Sequence, residues 1–184
     1  MQDTEQINFI ADCLTNYKIK IQALNKAGLF DSAKLFEYFA REICHLWFKQ
    51  NFHNLNEIQA NYPYVDLVSE DGQIYVQVST VQDIRAKIKS TLDKISTSKI
   101  KDVAKIKQVY FFVLGNESAE KVVDYQVGDI SFKADQHLKT LSDVNVKARA
   151  DKDFRRELYH LLKQELTNYT QNEAKLADAV EASF

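Results

Sequence analysis

Six consecutive apolar residues, Val109-Tyr-Phe-Phe-Val-Leu114, leave this chain few ways to fold. The run is rich in β-branched and aromatic residues, so it reads as a strand. No polar residue interrupts it, so neither face of that strand can meet water. Such a strand belongs in the middle of a sheet with helices on both faces. The rest of the chain must therefore supply neighbouring strands and two layers of cover.

Apolar spacing predicts those layers. Residues 4–26 read as a helix in which Ile7, Ile10, Leu14, Tyr17, Ile21 and Leu24 recur at three and four residues. That narrow stripe is like a coiled-coil seam, able to dock on its own domain or on a second copy as a homodimer. Gly28 suits the position that ends it. Asp31 is a good cap for a helix over 32–49, with Leu35, Phe36, Phe39, Ala40, Ile43, Cys44, Trp47 and Phe48 facing inward. Glu37 falls at the border of that face, one turn from Arg41, which is placed to pair with it. Thr80 is expected to cap a helix running to about Ile95, with Ile84, Ile88, Leu92 and Ile95 inward. Ile130–Phe132 suggests a short strand, and Asp135 caps a helix expected over 136–142. A last helix over 150–172 carries Phe154, Leu158, Leu161, Leu162, Leu166 and Tyr169. Residues 50–62 are polar and suit a short edge strand or irregular connection. The order of elements gives an α/β layered domain, residues 1–184, with helical extensions at both ends.

Between the second and third helices lies PYVDLVSEDGQIYVQVST, residues 63–80. Asp71-Gly72 is a two-residue hairpin signal. With those residues as the loop, every cross-strand pair sums to 143. Asp66 then faces Gln77 and Tyr64 faces Ser79, while Val65, Leu67, Ile74, Val76 and Val78 turn to the core. Opposed Cβ atoms lie roughly 5 Å apart. A carboxylate and a carboxamide so placed offer two hard oxygens to Mg²⁺ or Mn²⁺. The plain reading beside it is the wet face of an amphipathic hairpin.

The net charge is only −2, so the whole chain does not advertise nucleic-acid binding. The segment from Asp83 to Lys107 nevertheless holds eight basic and three acidic residues. Arg85, Lys87, Lys89 and Lys94 in it suit a phosphate backbone, or simply a solvated helix face. Cys13 and Cys44 fall in apolar stripes and read as small buried hydrophobes. The N-terminus is polar and acidic, and no apolar run approaches a membrane span, so a cytoplasmic protein is expected. Four histidines show no metal-ligand spacing with each other or with the cysteines. Phosphate-cradling and dinucleotide fingerprints are absent.

The spacing Asp66, ten residues, Gln77, on adjacent strands after a helix, resembles the core of the PD-(D/E)XK nucleases. Within that resemblance Asp66 and Gln77 hold the metal, the Val78 carbonyl adds a ligand, and Glu37 helps from the preceding helix. The stretches NKAGLFDSAKLFEYF (25–39), NLNEIQANYPYVDL (54–67), IYVQVST (74–80) and KIKSTL (87–92) are similar to the bacterial SMEK-domain family. That similarity implies a restriction-endonuclease-like mixed sheet flanked by helices, in a nuclease-like module tied to antiphage defence and its partner proteins. Ser79 stands where the E-x-K pattern carries lysine, and Lys87 is the substitute the resemblance favours.

The expected activity is Mg²⁺-dependent cleavage of nucleic acid, with DNA as the favoured substrate. Asp66, Gln77, Val78 and Glu37 would bind the ion and Lys87 would stabilise charge on phosphate. Ser79 and Thr80 would orient water, and Thr80 with the basic residues of 85–94 would meet nucleic acid. The alternative is a nuclease-like module that binds nucleic acid or partner proteins without cutting.

Overall fold

In the computed structural model, residues 2–28, 31–58, 65–81, 84–97, 106–115, 122–127 and 130–165 are described. Two helices open the chain, α1 (Gln2–Lys26) and α2 (Asp31–Phe48). An antiparallel meander follows: β1 (Phe52–Asn54), the single turn α3 (Leu55–Ile58), β2 (Leu67–Ser69) and β3 (Ile74–Ser79). Helix α4 (Ile84–Thr97) then leads to β4 (Gln108–Val113), which pairs with β3 in parallel. A small hairpin, β5 (Tyr125–Val127) and β6 (Ile130–Phe132), forms its own two-stranded sheet. The turn α5 (Ala134–His137), strand β7 (Leu138–Thr140) and helix α6 (Leu141–Ala150) come next. Residues 152–165 form α7. The main sheet runs β1-β2-β3-β4-β7.

The apolar run sits where its composition demands. β4 has a parallel neighbour on each side. Phe112 and Leu114 pack with α1, α2, α6 and α7 in one core cluster, which Val76, Val78 and Leu67 join. Val109, Phe111 and Val113 pack in a second cluster with Ile84, Ile88, Leu92 and Ile95 of α4 and with Phe132. Each buried side chain of this size stabilises by roughly 1.5–3 kcal/mol.

The α1 stripe turns inward. Ile10, Leu14 and Ile21 are buried in the first cluster, so the centre of the seam serves this domain's own core, while Ile7, Tyr17 and Leu24 stay half-buried. Gly28 ends the helix with φ +71° and its N–H on the Asn25 carbonyl. That left-handed backbone is what a glycine accepts without strain.

Several expectations need correction. Leu35 is 47% exposed, because α2 buries a narrower face centred on Phe36, Ala40 and Ile43. The hairpin keeps its sum of 143, with Leu67 opposite Val76 and Val68 opposite Tyr75, but its loop has four residues, 70–73. Gly72 alone has positive φ, at +71°, so the two-residue turn that needs both central residues there does not form. The Asp71 carboxylate instead accepts from the Ser69 hydroxyl at 2.6 Å and the Gln73 N–H at 3.0 Å. Val65 lies in the second cluster, not the first. The ladder slips at Asp66, whose N–H donates to the Val76 carbonyl although Val76 already faces Leu67. That extra residue works as a bulge and turns Val65 through the sheet.

Further along, no helix covers 136–142. Residues 138–140 are the edge strand β7, and Asp135 caps nothing, since the residue ahead of α5 is Lys133. Thr140 is the real cap. Its hydroxyl accepts from the Asp143 N–H while the Asp143 carboxylate accepts from the Thr140 N–H, a full capping box that starts α6. Thr80 lies in a coil and described helix resumes at Ile84; residues 82–83, where that helix is expected to begin, lie outside the described residues. Within the expected final helix, Phe154, Leu158 and Leu162 are buried. Tyr64, Lys99, Lys101, Lys105, Leu166 and Tyr169 lie outside the described residues. No helix among the described residues is long and apolar enough to cross a membrane.

Candidate functional site

The bulge that moves Val65 also fixes Asp66. Its main chain is used twice: the N–H meets Val76, and the carbonyl accepts from Leu55 N–H at 2.8 Å, which ties β2 to the start of α3. Its side chain then lies against β3. The Oδ2 atom accepts from the Val78 N–H at 2.8 Å and from the Gln77 side-chain amide. The Oδ1 atom accepts from Asn56 Nδ2 at 3.3 Å. Gln77 is 5% exposed, and its amide also donates to the Val78 carbonyl at 3.0 Å. The pair is therefore no wet hairpin face.

Burial pushes the Asp66 carboxyl up, from its ordinary 3.8 to about 6. The Val78 N–H opposes that rise, as do the Asn56 amide and the positive charge of Lys87; the negative charge of Glu37 adds to it. So Glu37, from α2, and Lys87, from α4, both bring their charges to bear on Asp66. For this half-buried carboxylate, loss of water outweighs the hydrogen bonds and the positive charge that favour its ionised form.

Glu37 does not pair with Arg41. Arg41 turns to Glu42 at 3.2 Å and Glu57 at 3.5 Å, and stacks on the Tyr38 ring. That leaves Glu37 to accept from Asn54 Nδ2 at 3.5 Å. Two asparagines thus belong to the site although nothing in the sequence pattern marked them. Asn54 ends β1 and Asn56 begins α3, and the Asn54 Oδ1 holds the Asn56 N–H at 2.9 Å. Their signal is the N-x-N spacing, which an Asx turn uses to set two side chains around one backbone bend.

Other candidates are dispersed. Ser79 is 6% exposed and its hydroxyl accepts from the Val81 N–H at 3.3 Å, so it closes a turn. Thr80 is half-buried beside it. Arg85, Lys87, Lys89 and Lys94 are all exposed on α4. At 100° per residue Lys87 and Lys94 share one flank, while Arg85 and Lys89 share the other. Only the Lys87 flank faces Asp66. Cys44 is buried and its thiol is pushed up by burial, and two of the four histidines, His45 and His137, make main-chain contacts. Among the described residues, no group of three or more His, Cys, Asp and Glu side chains is placed to hold a metal. Any cation here would rely on two carboxylates and neutral oxygens.

The family model described as SMEK domain matches residues 9–149, which is more than half of the chain and contains every residue of this site. No curated protein and no solved structure matches the chain.

Proposed function

The chain belongs to the SMEK-domain family, and we propose that it is a divalent-metal-dependent nuclease of restriction-endonuclease-like fold, acting on DNA in bacterial defence. One observation carries this reading. The Asp66 carboxylate, the Gln77 carboxamide and the Val78 main-chain carbonyl meet at a strand pair, and the negative charge of Glu37 bears on Asp66 from α2. Hard oxygen donors of this kind suit Mg²⁺ or Mn²⁺. Asp66, Glu37, the Val78 carbonyl and the Gln77 amide oxygen would hold such an ion. When bound, it would lower the pKa of water and neutralise charge on phosphate.

The chain's own residues supply the rest. The Val78 N–H and Asn56 hold the Asp66 carboxylate in one orientation. Lys87 is an exposed cation of α4 whose positive charge bears on Asp66. In this role it would stabilise charge on the non-bridging oxygens of a phosphate. Lys94, one turn-pair further on the same flank, extends that positive strip along a backbone. The expected result is cleavage of plasmid or linear duplex with Mg²⁺ or Mn²⁺, abolished by Asp66→Ala. Intact substrates with both ions, and no difference between the two proteins, would end this reading.

A second reading rests on Ser79. The E-x-K pattern puts lysine there, yet this residue is a buried serine that closes a turn. If Lys87 does not replace that lysine, the module would bind nucleic acid or partner proteins and would not cut. Salt-dependent retention of duplex on a native gel, with no cleavage under either metal, would favour it.

A further inference from the structure

The amides around the two carboxylates are not equivalent. Asn54 is engaged at both ends: its Oδ1 accepts the Asn56 N–H and its Nδ2 donates to Glu37. Rotating that amide would break the turn that begins α3. Gln77 and Asn56 differ. Among the described residues, their side chains make hydrogen bonds only through the NH₂ end, Gln77 to Asp66 Oδ2 and the Val78 carbonyl, Asn56 to Asp66 Oδ1. The Gln77 NH₂ group thus lies between the very oxygens that a cation at this site would take. A carboxamide has a donor at one end and an acceptor at the other, and a half-turn about its last bond exchanges them.

We infer that Gln77 and Asn56 are inverting ligands. Without a divalent cation their NH₂ groups face Asp66 and stand in for the missing positive charge. With a cation, each amide turns over and presents its oxygen. This inference rests on the metal reading above and adds a coordination rule to it. Two carboxylates match the charge of one divalent ion, and the reversible amides complete an oxygen shell without a third carboxylate. Asn54 stays fixed and keeps Glu37 in place.

The test is Mg²⁺ titration of the ¹⁵N-labelled full chain, followed by side-chain amide resonances and by heat of binding. The Gln77 and Asn56 NH₂ signals are expected to shift as their bonds to Asp66 are lost, while those of Asn54 hold. Affinity is expected to fall at least about tenfold in Gln77→Leu, the range that loss of a supporting group at a metal site typically costs. In Gln77→Glu, which cannot donate and adds charge, it is expected to rise by a similar factor. Mg²⁺ binding that is abolished by Asp66→Ala but leaves the Gln77 and Asn56 signals unmoved would overturn the inference and spare the metal reading. No binding, or binding that survives Asp66→Ala, would overturn both.

Discussion

The Val78 N–H donates to the Asp66 side chain at 2.8 Å, so a carboxylate does the pairing that a strand carbonyl would otherwise do. The sheet and the site are thereby one object. Losing the carboxylate disturbs the end of a ladder, and disturbing the ladder moves the carboxylate.

From this follows a pH dependence with a definite sign. The Asp66 carboxyl titrates at about 6 when folded, against an ordinary 3.8. Between those values the folded chain holds more protons than the unfolded one, so stability falls as pH rises through the window. The fall amounts to roughly 3 kcal/mol at 1.36 kcal/mol per pKa unit. Asp66→Asn removes it. Urea melts at pH 4.5 and pH 7 without divalent ions should therefore show the variant gaining on the native chain at pH 7. Parallel behaviour of the two proteins would refute the raised carboxyl.

Lys87 and Lys89 make a matched pair on α4, both exposed and on opposite flanks. Lys87→Gln is expected to lower cleavage at least about tenfold, and Lys89→Gln to change it by less than about twofold. Neither should shift stability by more than about 0.5 kcal/mol, since both are surface substitutions. Equal losses from the two would show that α4 contributes only diffuse charge.

Phe112 meets Phe36 with ring centroids 5.6 Å apart, which joins the central strand to α2. Phe112→Ala should cost about 3–5 kcal/mol, the usual cost of emptying a buried aromatic site. A denaturant melt measures it. A cost under about 1 kcal/mol would mean that the core closes over the gap.

At Gly72 a Cβ would meet nothing within 4 Å, yet φ is +71°. Gly72→Ala is thus a pure backbone test, expected to cost about 1–2 kcal/mol. Thr140→Ala should cost about 1 kcal/mol through loss of the capping box. Unchanged melting of either variant would contradict the geometry given for it.

What the sequence made legible was mostly parity and period. The Asp71-Gly72 signal marks the hairpin but not its loop length; the longer loop is symmetric and keeps the sum of 143 for Leu67 and Val68, while Asp66 reaches Gln77 through its side chain, past the bulge. The bulge at Asp66 was illegible, because it depends on the Leu55 N–H, a partner far from any local pattern. Residues 136–142 read as a helix capped by Asp135, yet 138–140 form a strand. The alternative, a three-residue strand followed by Thr140-x-x-Asp143, was written there as a capping box and went unused. Asn54 and Asn56 were passed over as loop polarity, since only tertiary placement brings their amides to Glu37 and Asp66.

Every candidate site residue, from Glu37 to Lys87, is translated before β4 exists. Yet β3, which carries Gln77 and Val78, is an inner strand whose second neighbour begins only at Gln108, and β4 in turn waits for Leu138–Thr140. Parallel pairing of this sort closes long loops and forms late. A nascent chain therefore holds all of the chemistry and none of its alignment. The Asp66–Gln77 site is thus expected to set only after the C-terminal half of the domain has left the ribosome.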